Sequence, residues 1–441
     1  MAINVARFGL SLQLHQLQEQ NKPIRVGLVG CGEMGTDFLA RISLMEGIKV
    51  CAIASRTPKR IFENAALALG SSSILQEIEN ETALQTAIEQ NKIAATGDFN
   101  LLLKNEQIDI IVDATGYPEA GAQIGYKTLN QGKHLVMMNV EADVTIGPYL
   151  NHLAQKNNLI YSLGAGDEPS ACMEIIEFLS SMGHQIVAAG KGKNNPLHFD
   201  ATPDDYQEEA QKRNMNPRML VEFIDGSKTM VEMAALANAT GLIPDCPGMH
   251  GPKANLQELN KIFIPKEDGG ILQNLGVVDY TIGQGVSPGV FVIAKMDHPR
   301  IQERMEDLKM GKGPYFTFHR PYHLTAMEVP LTCARIMLNK KADMQPMKMP
   351  VAEVCALAKK DLYPGDKLDF MGLYTYRAWT MTQKEAKQQQ AIPCGLLENA
   401  EIIAPIEKNE LITQKNVRIN ETQWIAKLRR EQEKLIMGEQ K

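Results

Sequence analysis

Over the first third of the chain, short apolar runs alternate with stretches of helical periodicity. Ile24–Val29 predicts a buried strand, and Met34, Phe38, Leu39, Ile42 and Met45 then recur at the spacing of one helix face. Ile48–Ala54 predicts a second strand. Residues 61–98 are polar with helical period, broken by a Ser71-Ser72-Ser73 turn, and predict an inserted helix. A strand over 108–116, a helix over 119–131, a strand over 133–138, a helix over 147–157 and a strand over 159–163 continue the series. Such alternation implies a parallel sheet with right-handed crossovers. Ahead of it, Val5, Phe8, Leu10, Leu12, Leu14 and Leu17 predict a helix over 3–20. That helix must bury one face, either on the sheet domain or on a second subunit.

From residue 164 the pattern changes. The turn Gly164-Ala165-Gly166-Asp167-Glu168-Pro169 precedes a predicted helix over 170–182 and a strand over 185–190. Residues 221–229, with Asp225-Gly226 inside, predict a hairpin, followed by a helix over 230–239. The Gly/Pro-rich segment 244–252 predicts irregular structure. Strands at 289–296 and 315–318 and a helix at 328–338 complete an α+β pattern. Beyond about 346, short segments between turns lead to a charged closing helix over 421–436.

Composition narrows the class. A chain of 441 residues exceeds one core, so two or three domains are expected. The net charge of −6 lacks the basic footprint of a nucleic-acid binder. No apolar run approaches the roughly 18 residues that cross a bilayer, so no membrane partner is expected. Only Arg7 precedes a broken Leu-rich stretch, unlike a signal peptide. Seven cysteines without a Cys-x-x-Cys argue for reduced thiols and a cytoplasmic location, not for a disulfide frame or a structural zinc.

Gly30-Cys31-Gly32-Glu33-Met34-Gly35 lies between the first strand and the first helix as Gly-x-Gly-x-x-Gly. The first glycine permits the turn, the second the approach of a pyrophosphate, the third close helix–strand packing, and the helix N-terminus faces the phosphates. Gly30, Gly32, Glu33, Met34 and Gly35 are therefore the expected dinucleotide turn. About 20 residues on, where an acid usually holds a ribose 2′-OH, the chain reads Ser55-Arg56-Thr57-Pro58-Lys59-Arg60. These donors and charges suit a 2′-phosphate and predict NADP(H), with Ser55, Arg56 and Thr57 in the site; the alternative is a solvated basic loop. Thr115, Gly116 and Asn139 follow strand carboxyl ends, where open parallel sheets bind ligands, and join the expected cofactor site.

Reducing a carbonyl by hydride needs a cation or proton donor at the developing alkoxide. Lys191 and Lys193, in Gly190-Lys191-Gly192-Lys193-Asn194-Asn195-Pro196, are placed in a loop from which both can face one cleft; a solvated basic turn is the alternative. Asn195 either bonds substrate hydroxyls or caps the next helix. Asp167 and Glu168 are candidate acids, although a helix start favours acids by its dipole alone. Glu141 and Asp143 flank Ala142; if extended they point to one side and can hold a divalent metal, and otherwise they belong to a solvated loop. His319, Arg320 and His323 are the densest ionisable group, with Arg320 able to fork onto a phosphate. His250 sits in a Pro/Gly loop that either approaches a ligand or is structural. No cysteine has a recognisable histidine partner.

Residues 27–35, 136–143, 166–169, 190–196 and 318–324 together resemble the 1-deoxy-D-xylulose 5-phosphate reductoisomerase-like (DRL) branch of the homoserine-dehydrogenase-like NAD(P) oxidoreductases. Residues 349–415 resemble a SAF-type β-clip module, on Leu362-Tyr363-Pro364-Gly365-Asp366 and on 406–411. The expected fold is α/β: an N-terminal Rossmann parallel sheet with its leading helix (1–163), an α+β catalytic and dimerisation domain (164–345) and a SAF-like domain with a C-terminal helix (346–441). The resemblance implies that a small phosphorylated sugar, 1-deoxy-D-xylulose 5-phosphate, is isomerised and the resulting aldehyde reduced by NADPH. The product is 2-C-methyl-D-erythritol 4-phosphate, an isoprenoid precursor. A divalent metal (Mg or Mn) serves the ordinary reductoisomerase, and a homodimer is expected. The alternatives are an NAD(P) oxidoreductase acting on another small hydroxy acid or sugar derivative, and a non-catalytic NADP-sensing scaffold.

Overall fold

The computed structural model describes residues 6–439, so Val5 lies outside the described residues. The chain forms two compact units. The first comprises Met1–Asp143, Gly147–Asp167 and Leu324–Gln345; the second comprises Val144–Ile146, Glu168–His323 and Pro346–Lys441.

In the first unit, α1 (Gly9–Glu19) leads into β1 (Ile24–Val29), α2 (Glu33–Ile42), β2 (Ile48–Ala54), α3 (Pro58–Leu69), β3 (Leu75–Glu77), α4 (Glu81–Glu89), β4 (Ile93–Thr96), α5 (Phe99–Lys104), β5 (Ile110–Asp113), α6 (Pro118–Asn130), β6 (His134–Met137), α7 (Val140–Lys156) and β7 (Tyr161–Leu163). The seven strands are parallel, in the order β3-β4-β2-β1-β5-β6-β7. Helices cover both faces, so Val26, Leu28 and Val112 are fully buried and the strands read as apolar runs. Residues 61–98 hold more than an inserted helix. β3 and β4 extend the sheet, but at three and four residues they carry too little periodicity to be read. Of the two places open to α1, it takes its own sheet domain. Leu14 is buried in one core with Phe38 and Ile42, and Leu10 and Leu17 pack on it. Burying one such leucine contributes roughly 1.5–3 kcal/mol.

The second unit begins with α8 (Glu168–Ser181), β8 (Gln185–Gly192), α9 (Gln207–Lys212), α10 (Pro217–Ile224), α11 (Ser227–Thr240), β9 (Ile243–Pro244), α12 (Leu259–Ile262), β10 (Val277–Thr281), β11 (Val290–Lys295), α13 (Pro299–Asp307) and β12 (Tyr315–Arg320). The mixed sheet runs β12-β11-β8-β10-β9. α8 and α11 pack on one face and α12 on the other, where Phe263 stacks on Phe291. The expected hairpin at 221–229 is instead α10, the Asp225-Gly226 turn and α11. Buried Leu220, Val221 and Ile224 follow helical spacing, and Gly226 at φ +85° redirects the chain.

The chain next supplies α14 (Val329–Asn339) to the first unit, where Cys333, Ala334 and Ile336 join the Phe38 core. It then returns as β13 (Ala352–Ala358), β14 (Tyr376–Thr382), α15 (Gln383–Gln388), β15 (Glu401–Ile402), β16 (Val417–Arg418) and α16 (Trp424–Glu439). This last segment packs as part of the second unit. On β14, Ala378 N–H donates to Ser227 Oγ at 2.9 Å and Thr380 Oγ1 to the Met230 carbonyl at 2.7 Å, which ties the strand to α11. Among the described residues, no helix is long and apolar enough to cross a membrane.

Candidate active site

The glycine turn of the first unit is shaped by close approach. Gly30 has φ +100°, and a Cβ there would stand 2.6 Å from the Ala114 carbonyl oxygen. A Cβ on Gly35 would overlap the Gly30 carbonyl, so α2 lies flush against the end of β1. At Gly32 the space is open, with no atom within 4 Å of where a Cβ would be, and α2 has no side-chain cap. Its first-turn N–H groups therefore face a cradle that a pyrophosphate fits. Burial, and then the charge of Asp37, raise the Glu33 carboxyl above its ordinary range. Met34 is partly buried against the core, so only its backbone serves the turn.

Ser55, Arg56 and Thr57 follow β2. Ser55 N–H donates to the Thr96 carbonyl at 3.0 Å, Arg56 lies over the Tyr117 ring at 5.1 Å, and Thr57 heads α3. Thr115 and Gly116 follow β5, with Thr115 N and Oγ1 donating to Asp113 Oδ1 at 2.9 and 2.7 Å. Asn139 departs from expectation. It is fully buried, donates to the Tyr117 carbonyl at 2.8 Å and caps α7 through Ala142 N–H at 3.1 Å. Its amide braces the strand ends and is not presented to a ligand.

Glu141 and Asp143 depart too. They sit in the first turn of α7, not in an extended segment, and positions two apart on a helix do not share a side. Asp143 is buried, accepts from the Tyr161 hydroxyl at 2.6 Å and is pushed up to about 7 by burial. The pair does not fit a shared divalent ion, and no chemical step is derived through one.

In the second unit, Lys191 lies within β8, not in a loop after it. Register sets which side chains it meets. Lys191, Val290 and Arg320 are cross-strand partners on the α8 face; Gly190, Phe291 and His319 share the opposite face. The buried Lys191 Nζ is 2.5 Å from Glu168 Oε1 and also bonds the Glu232 carboxylate. Burial alone would lower this lysine, but the two carboxylates outweigh it and hold the ammonium charged. Burial and the charge of Glu168 push Glu232 upward. His323 Nε2 stands 3.4 Å from Glu168 Oε1, the oxygen that Lys191 also holds, and ligand atoms of Asp167, Glu168 and His323 lie within 4.8 Å of one another, close enough to share a metal ion. Lys193, one residue past β8, is buried and donates to the Phe223 carbonyl. Burial, and then the charge of Lys191, lower it to about 8.

The structure thus gathers Lys191, Glu168 and His323, with Lys193 following on the same chain segment. It adds Glu232, whose only sequence signal was a lone acid inside apolar Met230–Ala237. His319 is not part of the group: its Nε2 lies 3.1 Å from the Val286 carbonyl on the other face. Arg320 is on the Lys191 face but engages Glu174 at 3.1 Å. Asn195 neither caps a helix nor joins the cluster; it accepts from Arg213 at 3.0 Å. His250 Nε2 is 2.8 Å from Asp245, and contacts with Cys246 and Asp245 hold it at about 9 against burial. Asp167 belongs to the first unit, as the last residue of its middle segment.

Residues 30–162 match the homoserine dehydrogenase NAD binding domain, and residues 166–329 match the catalytic domain of oxidoreductase DRL. No curated protein sequence matches the chain. Among solved structures, a probable dehydrogenase from Thermotoga maritima aligns at 11% identity over 72% of this chain and 90% of its own, with TM-score 0.41. Scyllo-inositol dehydrogenase from Lactobacillus casei, with bound NAD(H) and scyllo-inositol, aligns at 14% over 73% and 91%, TM-score 0.38. A DOX-P reductoisomerase in complex with magnesium aligns at 17% over 48% and 56%, TM-score 0.32. Alignments of such identity and TM-score carry no argument about substrate. With a match to a nicotinamide-binding domain in one segment and to a DRL-type catalytic domain in the next, the chain resembles the DRL and homoserine-dehydrogenase-like enzymes in these two segments, which supports an NAD(P)-dependent oxidoreductase.

Proposed function

We propose that the chain is an NADPH-dependent reductoisomerase that converts 1-deoxy-D-xylulose 5-phosphate to 2-C-methyl-D-erythritol 4-phosphate. The observation that carries this reading is the pair of buried lysines at the end of β8, inside the segment that matches the DRL catalytic domain. Bound NADPH supplies the hydride. As the aldehyde is reduced, its oxygen gains negative charge and needs a proton. Lys193, lowered to about 8, still carries its proton at neutral pH and releases it readily, so it is the acid at that oxygen. Lys191, held charged between Glu168 and Glu232, is a fixed cation that positions this end of the strand.

The test is NADPH oxidation, followed by nicotinamide absorbance. Turnover with 1-deoxy-D-xylulose 5-phosphate, and none with aspartate semialdehyde, is the expected result. No turnover with the former, with or without added divalent metal, rejects the reading. Use of NADPH in place of NADH rests on Arg56, at the end of β2 and over the Tyr117 ring. Arg56→Ala should raise KM for NADPH roughly tenfold or more, the loss of one charge-assisted contact. KM for NADH should stay the same, and an equal rise for both cofactors would remove Arg56 from the 2′-phosphate site.

A further inference from the structure

Arg377, on β14, is only 5% exposed. Its guanidinium carbon stands 4.4 Å from the Phe199 ring centre and 4.8 Å from that of Trp379. The rings attract the charge through its faces and leave the edge for hydrogen bonds. Along that edge, Nη2 makes a long bond of 3.4 Å to Asn409 Oδ1. Nε and Nη1 are buried and have no acceptor among the described residues. They carry three of the five guanidinium donors.

Neither nearby carboxylate hydrogen-bonds this guanidinium. Asp225 and Asp200 act on Arg377 from a distance, and each has its own lysine: Lys359 at 2.7 Å and Lys408 at 2.8 Å. An arginine cannot shed its proton to escape burial, and an uncompensated buried charge is strongly destabilising. A group placed so, with its donors oriented and its faces fixed, is prepared for an acceptor that arrives with a ligand. Two observations connect it to the chemistry at β8. Asp225 also acts on Lys193, and Arg377 acts on Tyr280. Tyr280 is the register partner of Lys191, so both side chains share one face of the sheet.

We propose that Arg377 binds the phosphate of the substrate, a phosphate monoester dianion, through its unfilled Nε and Nη1 donors. The proposal rests on the reductoisomerase reading for placing that substrate beside Lys193. It assigns to β14 the role that the sequence suggested for Arg320, whose guanidinium is engaged by Glu174. It also gives the C-terminal segment a direct part in recognition. An Arg–phosphate fork prefers the dianion over a monoanionic carboxylate.

Trp379 reports on the site because it touches Arg377. The chain has two tryptophans, so Trp424→Phe isolates the Trp379 signal. In that background, inorganic phosphate should produce a saturable change in Trp379 emission. Acetate should act at least roughly tenfold more weakly, Arg377→Met should abolish the response, and Arg377→Lys should weaken it by about tenfold or more. No saturable response in the folded protein, or an undiminished one in Arg377→Met, overturns the proposal. Should circular dichroism show Arg377→Met unfolded, Arg377→Lys decides: unchanged phosphate affinity overturns it. Binding needs no turnover, so the two readings fail separately. A phosphate response without 1-deoxy-D-xylulose 5-phosphate turnover upholds Arg377 and rejects the substrate; turnover without a response rejects Arg377 alone.

Discussion

Lys193→Met is expected to lower kcat by roughly 10²–10⁴-fold, the size of a lost general acid, while the protein stays folded. In the unaltered enzyme the rate should fall as pH rises through about 8, where Lys193 loses its proton, and that limb should vanish in the variant. Stability should move the other way. The folded-state value lies below the ordinary 10.5, so the charge on Lys193 opposes folding at neutral pH. The opposition fades as pH climbs from about 8 towards 10.5. Lys193→Met should therefore melt at or above the unaltered protein at neutral pH, with the difference shrinking towards 10.5. Thermal melts at both ends of that window check it. A large drop in Tm at neutral pH would mean that the lysine holds the fold and is not poised for chemistry.

Two residues earlier, Lys191→Met should behave in the opposite manner. Without the ammonium, Glu168 and Glu232 face each other buried with their shared cation gone, which costs about 3–5 kcal/mol. Lys191 is raised above its ordinary value, so its contribution is fully present at neutral pH and is lost only as pH rises through that raised value. The Tm at neutral pH should fall clearly and turnover with it. Adding Glu232→Gln should return part of the stability, because one of the opposed charges is gone, without returning turnover. If Lys191→Met melts like the unaltered protein, the three side chains do not form a coupled group.

The dinucleotide turn was legible because its signals are local: an apolar run, glycines at fixed spacing and one helix face within about twenty residues. Lys191 and Lys193 were legible as residue types, but their setting was not. Gly190 and Gly192 read as loop, yet in β8 they make room for the Asp279 carbonyl and the Ser287 amide of neighbouring chain. Sequence adjacency misled at 319–323. One step along β12 places His319 and Arg320 on opposite faces, so His319 is parted in space from its sequence neighbours. Asp225-Gly226 carries the turn signal of a hairpin, but the spacing of Leu220, Val221 and Ile224 makes the element before it a helix. Glu232 and Arg377 could not be found locally. The first reaches Lys191 from 41 positions away, and the second arrives from a segment that read as a separate domain.

The first unit is assembled from segments that are far apart in the order of synthesis. Ser162, on the last strand of its sheet, bonds Met344, 182 positions later. Cys333, Ala334 and Ile336 complete the core around Phe38. A nascent chain therefore cannot finish its nucleotide-binding half first, as N-terminal domains commonly do. The sheet must wait, with part of its apolar surface open, while the second unit's middle segment leaves the ribosome. A fragment ending at residue 163 would keep that surface open permanently. The half of the protein that begins the chain is completed only once residues 324–345 have emerged.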